Sequence, residues 1–98
     1  SSSRIIQSVG TGGSNQSGDV KLVQQLLSQV ASGEGGSPNI LIDGICGSGT
    51  IAAIKKFQST NECSPSGLFR PDKGSVILLY LKSGAASYSM RMVEELEY

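Results

Sequence analysis

The sequence predicts an all-α fold, a small three-helix bundle whose helices are joined by glycine-rich loops, with room for short extended segments. Two apolar stretches have helical spacing, and a third is a compact apolar run. Polar segments rich in Gly, Ser and Pro separate them. Gly and Ser together make 30 of the 98 residues. A hydrophobic content of 38% and a net charge of zero favour a single folded domain over a disordered chain.

The first helix is indicated by an apolar stripe with the spacing of one helical face. The stripe consists of Val20, Val23, Leu26, Leu27 and Val30. Ser17 is its predicted N-cap, and Asp19 lies in the first turn, where the helix dipole favours a carboxylate. The segment 4–9 before it is expected to be extended, and the flexible loop 32–38 ends the helix.

The second helix is predicted to follow a turn at Asp43-Gly44, with Ser48 as its N-cap. Its expected buried stripe consists of Ile51, Ala52, Ala53, Ile54 and Phe57. Lys55 and Lys56 are expected to face outward, while Ile45 and Cys46 are expected to fill the core from the turn.

The third helix is predicted to carry Pro71 in its first turn and to bury the apolar run 76–81 on most sides. Beyond Gly84, the spacing of Met90, Val93 and Leu96 permits a weak fourth helix, although a frayed acidic tail or the start of another domain fits equally well. We therefore divide the chain into an N-terminal extension or linker (1–8), a domain (9–83) and a C-terminal tail or extra helix (84–98).

Composition excludes several functions. The chain has no His, which removes Ser-His-Asp and Cys-His catalysis and every metal site that needs imidazole. Its balanced charge predicts no nucleic-acid partner, and its apolar runs are too short for a membrane span. We expect no metal and no cofactor. We also expect no disulfide, because a helix of about ten residues would hold Cys46 and Cys63 roughly 15 Å apart.

A specific motif occupies the middle of the chain. Residues 43–58 read D-G-x-x-G-x-x-T-x-x-A-I-x-x-F-Q, after V-x-x-V-Q-x-x-L at 20–27 and before Gly67 and the P-D-K-G segment at 71–74. In this order the signals resemble the peptidoglycan-binding domain found beside amidases, transpeptidases and other cell-wall enzymes. The resemblance runs from about Val9 to Leu81.

Backbone and packing requirements explain most of the motif without a ligand. The Asp-Gly pair makes the turn, the next Gly permits a backbone shape that a side chain would forbid, and hydroxyls satisfy amides at the helix start. The Phe is a core anchor. We therefore favour a mainly structural role for Asp43, Gly44, Gly47, Thr50 and Phe57.

The resemblance implies a non-catalytic module that targets an attached cell-wall hydrolase or secreted effector to the bacterial wall, in the periplasm or cell wall. We expect a concave site between the second and third helices that contacts the glycan or the stem peptide of peptidoglycan. The candidate ligand-binding residues are Arg70, Gln58, Phe69, Tyr80 and Lys73. Arg70 can grip a carboxylate at two points, and the two rings are candidate apolar platforms, although Tyr80 also suits the core.

Two alternatives stay open. The same three-helix fold serves related domains as a protein-interaction, prodomain or assembly module that binds no peptidoglycan, and the tail could dock such a partner. An enzyme with a carboxylate pair is the weaker alternative. The acids lie scattered over loops and helix starts, where caps and turns account for them.

Overall fold

The computed structural model describes residues 4–71 and 73–84, which form three helices and one small strand pair. In chain order the elements are β1 (Val9–Gly10), α1 (Ser17–Ser28), a single 3-10 turn (Ser32–Glu34), α2 (Ser48–Thr60), β2 (Leu68–Phe69) and α3 (Ser75–Lys82). β1 and β2 pair antiparallel, with Val9 opposite Phe69. This mostly helical arrangement confirms the predicted fold class. None of the described helices has the length and apolar character needed to cross a bilayer.

The core lies where the three helices and the strand pair meet, and the predicted apolar stripes supply most of it. Its fully buried members include Val20, Val23, Leu27, Ile54, Phe57, Phe69, Val76, Ile77, Leu79 and Tyr80. The rings of Phe57 and Phe69 meet edge to face, with centroids 6.1 Å apart. Each helix is short, so packing against the others rather than intrinsic propensity keeps it folded.

The helix starts differ from the prediction. The N-cap residues are Gln16, Gly47 and Gly74, and no side chain caps any of these three helices. Ser17 and Ser48 are instead the first helical residues. Pro71 lies before α3 rather than in its first turn, because Gly74, at φ +63°, turns the chain immediately before Ser75.

Residues 5–7 are joined to the helices by hydrogen bonds. Ile5 is buried, and its N–H donates to the Tyr80 hydroxyl over 2.9 Å. The N–H groups of Ile6 and Gln7 each donate to a different carboxylate oxygen of Asp19 over 3.0 Å. Asp19 therefore holds this segment against the start of α1, and the described residues before Val9 belong to the packed unit.

A close backbone approach fixes the junction between β1 and β2. Gly10 adopts φ +124°, and a Cβ there would lie only 2.0 Å from the Gly67 carbonyl oxygen. The next residue, Thr11, donates its N–H to that same oxygen over 2.8 Å. Asn15 completes the turn by accepting the Gly10 N–H over 2.7 Å. Glycine is thus required at position 10.

The segment before α2 corrects one expectation. Ile45 is 67% exposed, so the prediction that it fills the core is wrong, whereas Cys46 is half-buried and packs against the core. Cys46 and Cys63 are both free thiols. The three alternatives for the tail, a weak fourth helix around Met90, Val93 and Leu96 among them, concern residues that lie outside the described part of the chain.

Candidate ligand-binding site

A buried glutamine on α1 organises the turn that leads into α2. Gln24 is fully buried, and its Oε1 accepts the N–H groups of Asp43 (3.0 Å) and Gly44 (2.9 Å). Its Nε2 lies within hydrogen-bonding distance of three acceptors at 3.0–3.1 Å, namely Asp43 Oδ1, the Ile45 carbonyl and Thr50 Oγ1. One side chain therefore fastens the turn to both α1 and α2.

A second buried glutamine does the same for the segment that carries β2. Gln58 on α2 accepts the Gly67 N–H at Oε1 over 2.8 Å. Its Nε2 lies 3.0 Å from both the Leu68 carbonyl and the Ser75 hydroxyl, and so joins α2 to β2 and to the start of α3. Sequence reasoning left the role of Gln58 open and missed Gln24. Both lie on apolar helix faces, since Gln24 is four residues after Val20 and Gln58 is four after Ile54.

Asp43 is the charged group of the first turn. The Ile45 backbone N–H, followed by the Gln24 amide, holds the pKa of Asp43 below its ordinary value of 3.8. Asp43 Oδ1 accepts both of these bonds over 3.0 Å. The carboxylate is therefore ionised at neutral pH, and it is exposed at the surface.

The turn and α2 border a cavity of about 600 Å³, here called the motif groove. Its lining residues come from 37–56: Ser37, Ile40, Leu41, Asp43, Ile45, Gly47, Ser48, Gly49, Thr50, Ala52, Ala53 and Lys56. This volume falls in the range of small-molecule sites. Lys56, one of the lining residues, donates from Nζ to the Gly36 carbonyl over 2.8 Å.

A second cavity of about 510 Å³, here called the basic hollow, lies between the end of α2 and the start of α3. It is lined by Gln58, Cys63, Ser64, Ser66, Leu68, Arg70, Lys73, Gly74 and Ser75. Arg70 and Lys73 are exposed, and none of the described lining residues carries a carboxylate. The hollow lies between the same two helices as the concave site predicted from the sequence, and the exposed guanidinium of Arg70 can bind an anion.

The structure brings together three of the five predicted ligand-binding residues. Gln58, Arg70 and Lys73 all line the basic hollow. Phe69 and Tyr80 have no exposed surface, so the interpretation of these rings as apolar platforms is wrong for this conformation. Phe69 packs on Phe57, and Tyr80 accepts the Ile5 N–H, which makes both rings core residues.

The motif residues support the structure in ways that differ in detail from the prediction. Gly44 does require glycine, since it adopts φ +74° and its Cβ would lie 2.8 Å from Ser17 Oγ. Gly47 does not: its backbone is extended at φ −94° and a Cβ there meets nothing within 4 Å. Thr50 makes no helix cap; its hydroxyl bonds Gln24 instead. Phe57 is the predicted core anchor.

The two cavities open on different faces of α2. Lys56 lines the motif groove and Gln58 lines the basic hollow, and residues two apart on an α-helix point about 200° apart around its axis. Asp43, Thr50 and the exposed Leu41 and Ile45 belong to the groove, whereas the two cations belong to the hollow. The molecule therefore presents two chemically distinct surfaces.

Comparison with known protein families gives a match. The family model described as "Putative peptidoglycan binding domain" matches residues 16–69, more than half of the chain. This span contains the whole lining of the motif groove, while Arg70 and Lys73 of the basic hollow lie just beyond it. No curated protein and no solved structure gives a significant match.

Proposed function

The chain belongs to the peptidoglycan-binding domain family, and from that premise we propose that it is a non-catalytic module that holds an attached cell-wall hydrolase or secreted effector on peptidoglycan. We assign the basic hollow to the acidic stem peptide. The observation that supports this most directly is the exposed side chain of Arg70 in a cavity whose described lining residues include no carboxylate. The location follows from the ligand: the periplasm or the cell wall.

Charge complementarity is the first argument. Stem peptides carry carboxylates, and a guanidinium can bind a carboxylate through two parallel hydrogen bonds. The hydroxyl groups of Ser64, Ser66 and Ser75 line the same cavity and can hydrogen-bond peptide amides. Arg70 is therefore the principal anchor in this proposal, and Lys73 adds positive charge.

Rigidity is the second argument. Gln58 is 1% exposed and ties β2 and the start of α3 together, so the backbone that carries Arg70 is set in place before a ligand arrives. A site organised in advance loses less conformational entropy on binding. Gln58 thus shapes the hollow, and its amide is already engaged with protein groups rather than held free for the ligand.

We expect the basic hollow by itself to bind its ligand weakly. A small, open and polar hollow gains little from apolar burial, so residence on the wall depends on linkage to an enzyme or to further modules. The work of the module is then to raise the local concentration of its attached partner at the polymer.

The test is a titration of the ¹⁵N-labelled chain with a soluble stem tetrapeptide, followed by amide chemical shifts. We expect shifts around the basic hollow and, for Arg70→Gln, a dissociation constant at least about tenfold higher, as for the loss of one charge-assisted contact. Lys21→Gln is the matched control, because Lys21 is exposed on α1 and lines neither cavity. Equal weakening by both variants, or shifts confined to other surfaces, would refute the assignment.

A further inference from the structure

Exposed apolar side chains concentrate beside the motif groove. Among the described residues, the large hydrophobic side chains that remain exposed are Ile6, Leu41, Ile42 and Ile45. Leu41 is 72% exposed and Ile45 is 67% exposed, and both line the groove. Single exposed apolar residues are common on protein surfaces, but a group within one short segment that borders a cavity is typical of a binding site.

This segment is held in place by buried hydrogen bonds. The Gln24 amide accepts the Asp43 and Gly44 N–H groups and donates towards the Ile45 carbonyl, so the turn between Leu41 and Ile45 is attached to α1. Ile40 donates its N–H to the Ser37 carbonyl over 3.0 Å, which closes the turn on the other side. The two apolar side chains are thus presented on a fixed backbone and need little ordering when a ligand binds.

The polar groups of the groove favour an uncharged ligand with hydroxyl groups. Asp43 Oδ1 is occupied by Gln24 and Ile45, while Asp43 Oδ2 has no bonded donor among the residues that the structure describes. An ionised carboxylate oxygen of this kind is a strong acceptor for a hydroxyl. Asp43 and Lys56 carry opposite charges, so the described lining of the groove is neutral overall, in contrast to the basic hollow.

These features fit a sugar better than a peptide carboxylate, which Asp43 would repel. An N-acetylated amino sugar is neutral and offers hydroxyl donors, an amide, an apolar ring face and a methyl group. We propose that the motif groove binds an N-acetylated amino sugar of the glycan strand, with Asp43 Oδ2 accepting from its hydroxyls and with Leu41 and Ile45 packing on its apolar parts. This inference rests on the proposed function and adds a second, separate contact with the same polymer.

The test uses N,N′-diacetylchitobiose, a soluble neutral disaccharide with no peptide. Titration of the ¹⁵N-labelled chain should shift amide signals in 37–56 and leave those of the basic hollow unchanged. Leu41→Ser should raise the dissociation constant about fivefold or more through lost apolar contact. Ile6→Ser is the matched control, since Ile6 is 74% exposed and lines neither cavity.

The substitution Asp43→Asn tests the charge of this side chain while keeping the hydrogen bonds that the fold uses. Asparagine keeps an acceptor at Oδ1 for Gln24 and Ile45 but replaces Oδ2 with an NH₂ group. We expect sugar affinity to fall about tenfold. Stability at neutral pH should fall only slightly, because the bonds from Gln24 and Ile45 are kept and lose only their charge assistance.

The outcomes distinguish this inference from the function on which it rests. Stem-peptide binding without any disaccharide-induced shift would overturn the sugar site and leave the basic hollow standing. Equal effects of Leu41→Ser and Ile6→Ser would also overturn it. Shifts of the groove signals with protein concentration alone would assign the apolar segment to a second copy of the chain instead of a sugar.

Discussion

The side chain of Gln24 holds Asp43 at two points. Gln24 Oε1 accepts the Asp43 N–H, and Gln24 Nε2 donates to Asp43 Oδ1, each over 3.0 Å. The two residues are 19 positions apart in sequence, so this pair of bonds joins α1 to the turn that begins the family motif. It connects the packing of the core to the geometry of the motif groove.

Replacement of Gln24 should therefore destabilise the whole domain. Gln24→Ala leaves the buried Gly44 N–H without its acceptor and opens a gap in the core, which together should cost about 2–4 kcal/mol of unfolding free energy. Gln25→Ala is the matched control, because Gln25 is the exposed neighbour on the same helix and its loss should cost no more than about 0.5 kcal/mol. Urea denaturation measures both; similar values for the two variants would contradict a structural role for the Gln24 amide.

The same substitution at two motif glycines should have different effects. Gly44→Ser forces a side chain into a left-handed backbone conformation, which costs roughly 1–2 kcal/mol. Gly47→Ser introduces a preferred N-cap residue where the backbone is extended and a Cβ meets nothing, so stability should be unchanged or raised. Thermal unfolding of the two variants provides the comparison. A larger loss from Gly47→Ser than from Gly44→Ser would show that Gly47 has a requirement beyond the backbone described here.

Asp43 should make stability depend on pH in the acid range. Its pKa in the folded chain lies below the ordinary value of 3.8, so the carboxylate stabilises the fold above that pH, and the stabilisation is lost as the pH falls through the lowered pKa. Between about pH 5 and about pH 2, wild type should lose more unfolding free energy than Asp43→Asn, which has no titrating group at this position. Parallel pH profiles for the two proteins would show that Asp43 has the same pKa in the folded and unfolded chains.

The thiols provide a check on the covalent structure. Unfolded but unreduced protein should react with a thiol reagent at both Cys46 and Cys63; a count of zero would establish a disulfide. Burial raises the pKa of the Cys46 thiol above its ordinary value of 9.0, so less thiolate is present at a given pH. Alkylation of Cys46 should consequently be slower in folded than in unfolded protein, which mass spectrometry of the labelled peptides can follow.

Sequence periodicity predicted the helices well because the spacing of residues such as Val20, Val23 and Leu27 is set directly by the core that they form. Helix starts were less predictable. Ser17 and Ser48 look like caps, but the structure caps neither helix with a side chain. A cap depends on the path of the preceding loop, which distant groups such as Gln24 determine.

The candidate site was also predictable from the sequence only in part. Arg70 and Lys73 could be chosen as exposed cations from sequence alone, and the structure places them in one cavity. The exposure of Ile45 could not be predicted, because hydrophobicity favours burial and the path of the turn depends on its distant hydrogen bonds to Gln24. A polar residue in the middle of an apolar stripe was the available signal for Gln24.

Co-sedimentation with purified sacculi measures whether this chain binds peptidoglycan. At low salt the chain should pellet with the sacculi, Lys21→Gln should pellet equally, and a smaller fraction of Arg70→Gln should pellet. No sample should release soluble wall fragments. Raising the salt concentration should lower the pelleted fraction of wild type, because the basic hollow acts through charge. A wild-type chain that stays in the supernatant at low salt, above all one that a partner protein then retains, would contradict wall binding and favour an interaction or assembly module.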